Sequence, residues 1–122
     1  MNIDNLQSEE VEKKWGKEII IVNNDKYCGK ILCLKKDKKF SMHYHMIKDE
    51  TWYVISGELI LKWIDTSSAI QNEKKIKKGD IIRIMPGLPH QLMACVDSEI
   101  FEISTTHYDN DSYRVFKGDS QL

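Results

Sequence analysis

The chain has 122 residues, with 18 Lys and Arg against 19 Asp and Glu, a formal net charge of -1 and a pI near 6.4. That length suits one domain with its own core and is too short for two. The balanced charge leaves no electrostatic footprint for nucleic acid, and no apolar run reaches the roughly 20 residues of a membrane-spanning helix.

Along the chain, residues 5–14 are acidic then basic with little apolar content. Ser8 followed by Glu9, Glu10 and Glu12 predicts a short capped helix or an ordered arm outside the main fold. From Glu18 the pattern turns to strand, with Ile19 to Val22, a turn at Asn23 to Lys26, and Tyr27 to Leu34. Further strands are expected at Phe40 to His45, Glu50 to Ser56, Glu58 to Trp63, Asp80 to Met85, His90 to Ala94 and Glu99 to Ser104. Ser56 and Gly57 make a tight turn, and Thr66 to Asn72 a polar hairpin loop. Lys74, Lys75, Lys77 and Lys78 fall in a solvated turn before Gly79. Short antiparallel strands at this spacing predict an all-β, double-sheet jelly roll with a short N-terminal arm or helix. Residues 1–17 form the arm, 18–106 the β-barrel and 107–122 a C-terminal extension. The cysteines Cys28, Cys33 and Cys95 are odd in number and lack zinc-type CxxC spacing. With no leader-like segment at the amino terminus, a reduced, cytoplasmic compartment is the expectation.

The chemistry concentrates in two places. His43-Tyr44-His45 is followed by Glu50 and Gly57, and a later segment runs from Gly79 through Pro86, Gly87 and Pro89 to His90. Strand side chains alternate faces, so His43 and His45 point the same way and can grip one metal ion, with Glu50 and His90 completing the site. Imidazole nitrogens with one carboxylate oxygen suit a divalent transition metal such as Zn, Fe, Mn, Ni or Co. On the next strand, alternation carries Trp52 and Val54 inward with Glu50 and turns Tyr53 and Ile55 away. Trp52 is then cavity wall, core, or both.

These residues resemble the two motifs of a single-domain cupin, G-x5-H-x-H-x(3,4)-E-x6-G and G-x5-P-x-G-x2-H. The glycine that opens the first motif is replaced by a Lys36-Asp37-Lys38 turn. A second resemblance rests on Trp15-Gly16-Lys17-Glu18, Tyr27 to Lys30, Glu50 to Gly57 and Glu102 to Arg114. Those segments look like the cupin domain of type II mannose-6-phosphate isomerases, although His43-Tyr44-His45 stands where that group has Gln-x-His.

The second resemblance implies a metal-dependent sugar or sugar-phosphate isomerase or epimerase. Glu102 is then the candidate proton carrier, with Lys30 also at the site as a candidate catalytic group. Arg114, Tyr113 and Trp52 are candidates to hold the substrate, Arg114 through its bidentate fork. The plain alternatives make Lys30 a surface lysine and Glu102 an outward-facing strand residue. Asp109 and Asp111 read as turn formers, His107 as a surface loop residue, and Arg83 as outward-facing between Ile82 and Ile84. Two other functions fit the same ligands, a metal-dependent dioxygenase and a non-catalytic module that binds a sugar or other small metabolite. Edge strands that need cover, together with the cupin resemblance, point to a homodimer.

Overall fold

The computed structural model describes residues 2–122 as eleven strands and one short 3-10 turn. In chain order the strands are β1 (Glu9–Lys13), β2 (Gly16–Asn23), β3 (Cys28–Leu34), β4 (Met42–Tyr44), β5 (Glu50–Ser56) and β6 (Glu58–Ile64). They continue with β7 (Gln71–Lys77), β8 (Ile81–Ile84), β9 (His90–Ala94), β10 (Ser98–Ser104) and β11 (Tyr113–Phe116), before the turn at Asp119–Gln121. One sheet has the order β1-β2-β3-β10-β5-β8 and the other β11-β4-β9-β6-β7, with every pairing antiparallel. This is the jelly roll that the strand rhythm predicts.

The core lies between the sheets and follows the period of two. Along β5, Trp52 and Val54 are fully buried while Tyr53 is exposed. Leu32 and Leu34 of β3, Leu59 and Leu61 of β6, Leu92 and Ala94 of β9 and Ile100 of β10 meet them in one cluster. Gly57, at φ 92°, makes the tight turn that carries the chain from β5 in the larger sheet to β6 in the smaller, and a side chain there would run into Ser98. Only glycine fits that turn. Gly16, also at positive φ, lies against the Cys33 carbonyl and lets β2 pass close to β3.

Three strands depart from the expectation. Glu9–Lys13 is not a helix: it pairs with β2 in register Glu9 to Ile20 and Lys13 to Gly16, so the N-terminal arm extends the larger sheet. The lysine-rich stretch at Lys74, Lys75 and Lys77 is not a turn but β7, the outer strand of the smaller sheet, and the preceding loop is shorter than expected. Ile76 is its one buried residue, and exposed lysines on an edge discourage pairing with another chain. Residues 113–116, placed in the C-terminal extension, form β11 beside β4 and close the edge next to the histidines. In β1 and β7, polar side chains on an outer strand hide the alternation that marks interior strands, and β11 is exposed throughout, so its apolar residues show no buried face.

Candidate metal centre

Strands β4, β5 and β9 bring the predicted ligands together, with His45 one residue past the end of β4 rather than within the strand expected to run to it. One ring nitrogen from each of His43, His45 and His90 lies within 4.8 Å of the others. Backbone carbonyls hold the three rings: Nδ1 of His43 lies 2.7 Å from Ser41 O, that of His45 2.6 Å from Asp111 O, and that of His90 2.8 Å from Leu88 O. A carbonyl only accepts, so each Nδ1 carries the hydrogen and each Nε2 keeps its lone pair for a ligand. Burial, first of all, holds His43 well below the ordinary imidazole range and lowers His45; it brings His90 down to about 4. The rings are therefore neutral near pH 7, the form a metal requires.

Glu50 faces the same point. Its Oε2 is 3.6 Å from His45 Nε2 and 4.0 Å from His90 Nε2, and this buried oxygen has no hydrogen-bond partner. The other oxygen accepts a 2.7 Å hydrogen bond from Trp52 Nε1, which orients the carboxylate. Burial, then the nearby Glu102 charge, raises the Glu50 carboxyl to about 8. An orphaned carboxylate oxygen converging with three imidazole lone pairs fits one divalent transition metal at bonds of roughly 2.0–2.2 Å. His43, His45, His90 and Glu50 are the residues that would hold it.

The centre opens onto a cavity of about 460 Å³ between the sheets. Glu102 and Lys30 are neighbours across β10 and β3, and both are buried in the cavity wall. Lys30 Nζ lies 3.7 Å from Glu18 Oε2. Glu102 Oε2 lies 3.2 Å from Nζ of Lys48, a residue with no signal in the sequence because it sits in the spacer of the first motif. Burial pushes Glu102 up, but Lys48 and Lys30 outweigh it and leave the carboxyl below its ordinary value. Burial alone would lower Lys48, and the carboxylates of Glu102 and Glu50 raise it instead. Lys48 and Glu102 thus form a buried, ionised pair beside the metal ligands.

The C-terminal segment completes the wall. Arg114 pairs with His43 across β11 and β4 and lines the cavity at its exposed rim, whereas Tyr113 pairs with Tyr44 and stacks on it with ring centroids 5.1 Å apart. The alternation that carries Arg114 to the cavity turns Tyr113 away from it, so Tyr113 is not placed to touch a ligand there. Trp52 is both wall and core, fully buried yet lining the cavity. His107, expected on a surface loop, instead lines the cavity, with Nε2 3.3 Å from Asp109 Oδ1. Burial, then Lys48 and Lys30, lowers it to about 4. Asp111 caps a turn: its carboxylate accepts hydrogen bonds from the N–H groups of Met46, Ile47 and Lys48 at 2.8 to 3.2 Å. One residue therefore supports His45 through its carbonyl and fixes the loop that delivers Lys48. Arg83 faces outward and pairs with Asp49 at 2.7 Å, as its alternation predicts.

The family described as the cupin domain matches residues 30–105, well over half of the chain. The chain belongs to the cupin family. This cupin is 27% identical over 116 residues to a mannose-1-phosphate guanylyltransferase of Salmonella muenchen, an alignment covering 93% of this chain and 24% of that protein. Among solved structures, the capsular polysaccharide assembling protein CapF of Staphylococcus aureus superposes with a TM-score of 0.78 at 16% identity, over 92% of this chain and 35% of CapF. Oxalate decarboxylase of Bacillus subtilis superposes with a TM-score of 0.77 at 18% identity, over 88% of this chain and 30% of that enzyme. The cupin spans about a quarter to a third of the length of these relatives. Among the described residues, no helix is long and apolar enough to cross a membrane.

Proposed function

We propose that this cupin is a metal-dependent isomerase or epimerase of a sugar or sugar phosphate. The observation that carries the reading is the buried Lys48–Glu102 pair, 3.2 Å between charged atoms, in the same cavity as three imidazoles and an orphaned carboxylate oxygen. A bound divalent metal would supply Lewis acidity toward adjacent carbonyl and hydroxyl oxygens. Glu102 carries a proton between neighbouring carbons of the substrate. Lys48 keeps Glu102 ionised in the resting state and balances its charge, and Trp52 holds Glu50 in place for the metal. Lys30 pairs with Glu18 in the cavity wall, and Arg114 offers its guanidinium at the rim. The alignment with a mannose-1-phosphate guanylyltransferase favours a sugar substrate over other small molecules.

The donor set suits Zn, Fe, Mn, Ni or Co. Mn(II) is the first to test, because oxalate decarboxylase of similar fold is described with Mn(II) centres. We read the working form as a cytoplasmic homodimer. Support comes from the outer face of the larger sheet, where the exposed Tyr53, Ile81 and Ile103 surround Phe101.

Proton NMR in heavy water tests the reaction. The metal-loaded protein is expected to exchange the hydrogen beside the carbonyl of at least one aldose, ketose or 6-phosphate, with exchange lost in Glu102→Gln at unchanged metal content. Exchange undiminished in that variant removes Glu102 from the mechanism, and no exchange by a demonstrably metallated protein removes the isomerase reading.

A further inference from the structure

Away from the metal ligands, the cavity wall is made of acid–base pairs. Lys30 faces Glu18 at 3.7 Å and Lys48 faces Glu102 at 3.2 Å, while farther out the neutral His107 lies 3.3 Å from the fully exposed Asp109. The two lysine side chains are 6% and 3% exposed, so these charges meet little solvent. Each ammonium has N–H groups beyond the one its carboxylate takes, and each carboxylate has lone pairs to spare. His107 Nδ1 is buried without a partner. The inner wall therefore offers alternating donors and acceptors with its lysine charges already compensated.

Two cations that line the cavity differ. Lys13 of β1 and Arg114 of β11 are exposed at the rim, and neither has a carboxylate within ion-pair distance among the described residues. The cavity thus has a compensated interior and an exposed rim where two unpaired cations, Lys13 and Arg114, outnumber one carboxylate, Asp109. A ligand anion placed inside would sit beside the Glu18 and Glu102 carboxylates, where repulsion in a low-dielectric site is strong and the lysines are already engaged. A hydroxyl donates and accepts at once, so neighbouring hydroxyls can bridge a lysine and its carboxylate without leaving a charge unbalanced.

We infer that the interior of this cavity receives an uncharged, polyhydroxylated segment, and that any phosphate or carboxylate of the ligand stays at the mouth with Lys13 and Arg114. The inference rests on the proposal of a sugar substrate and narrows it to the way the sugar enters: hydroxyls inward, anion outward. A small dianion that must be swallowed whole is the wrong shape of charge for this wall.

Calorimetric titration of the metal-loaded protein with xylitol and with sulfate, which ligates metals weakly, tests it. Wild type is expected to bind xylitol at least tenfold more tightly than sulfate. Glu102→Gln leaves Lys48 uncompensated and is expected to gain at least tenfold in sulfate affinity; Glu18→Gln does the same through Lys30, and stands in if the first variant folds poorly. Mannose 6-phosphate is expected to outbind mannose in wild type, and the Lys13→Ala/Arg114→Ala double variant to lose that advantage while Lys48→Met keeps it. Sulfate bound more tightly than xylitol by wild type, with no gain in either glutamine variant, overturns the inference, as does a phosphate advantage lost in Lys48→Met alone. Polyol binding without hydrogen exchange on any sugar would sink the isomerase reading and leave this inference standing.

Discussion

The two ends of the same strands do different work. On β5 the inward positions run Glu50, Trp52, Val54; on β9 His90, Leu92, Ala94; on β3 Lys30, Leu32, Leu34; on β10 Glu102 then Ile100. Each series starts in the polar cavity and ends in the apolar core. The inward face is one continuous surface, and the site is the part of it where apolar side chains give way to ligands and paired charges. What the comparison teaches is that the core end fixes the strands and so positions the metal end, where buried polar groups cost stability unless something satisfies them.

Substitutions at the two ends of β9 should separate these roles. His90→Ala is expected to abolish tight metal binding while the protein still folds, measured by metal content after dialysis and by circular dichroism. Leu92→Ala, two residues along, is expected to cost about 2–5 kcal/mol in chemical denaturation, yet to bind metal at unchanged stoichiometry. Loss of metal in the folded Leu92→Ala protein would show that the ends are not separable.

Asp111 sits at the boundary, tying the C-terminal segment to His45 and to the loop before Glu50. Asp111→Ala is expected to weaken metal affinity by about 10–100-fold, with Asp111→Asn falling between it and wild type. Competition with a chromophoric chelator gives the constants, and an affinity equal to wild type would reduce Asp111 to a plain turn former.

The pH dependence of the metal-free protein distinguishes the buried acid from the buried bases. Glu50 titrates near 8 in the folded protein against an ordinary 4.5, so between those values the folded state holds a proton that the unfolded chain has released, and stability falls as pH rises. His90 and His107 titrate near 4 against 6.5, so their contribution is present above 6.5 and is lost as pH falls toward 4. His43 and His45 are shifted in the same direction. Below about 6.5 the histidines outnumber Glu50, and above it Glu50 acts alone, so the metal-free protein is expected to be most stable near pH 6.5. Urea denaturation at pH 5, 6.5 and 8 checks this. Glu50→Gln should flatten the decline above 6.5, and a decline that survives would assign it elsewhere.

The smallest effect belongs to a region outside both ends. Lys75 and Glu58 pair at 3.0 Å on the exposed β6–β7 edge, each about half exposed. Lys75→Ala is expected to leave the denaturation midpoint close to that of wild type in the same assay, and a clear loss would mean that the edge charge supports the fold.

The interior strands were legible from the sequence because apolar or ligand residues recur at every second position between strong turn signals, and β5 and β9 have the bounds expected of them. The outer strands were not: β1 carries one apolar residue, β7 one buried residue, and β11 is exposed throughout. Their pairing is set by the neighbouring strand's unpaired backbone groups, which leave no periodic trace in side-chain chemistry. Within the site, His43, His45, Glu50 and His90 stood out by spacing. Lys48, His107 and Asp111 did not, since a lysine, a histidine and an aspartate in loops look the same whether they face water or a cavity.

The sequence by itself determined the jelly roll and the side on which His43, His45, Glu50 and His90 gather, because strand alternation is a local property of two-residue period. Only the tertiary structure decided that Lys48 meets Glu102, that His107 turns inward while Tyr113 turns out, and that Asp111 holds the loop before Glu50. The Lys48 and Asp111 contacts join residues 54 to 66 positions apart. Which partners meet across such distances depends on how two curved sheets close on each other, and no local pattern records it.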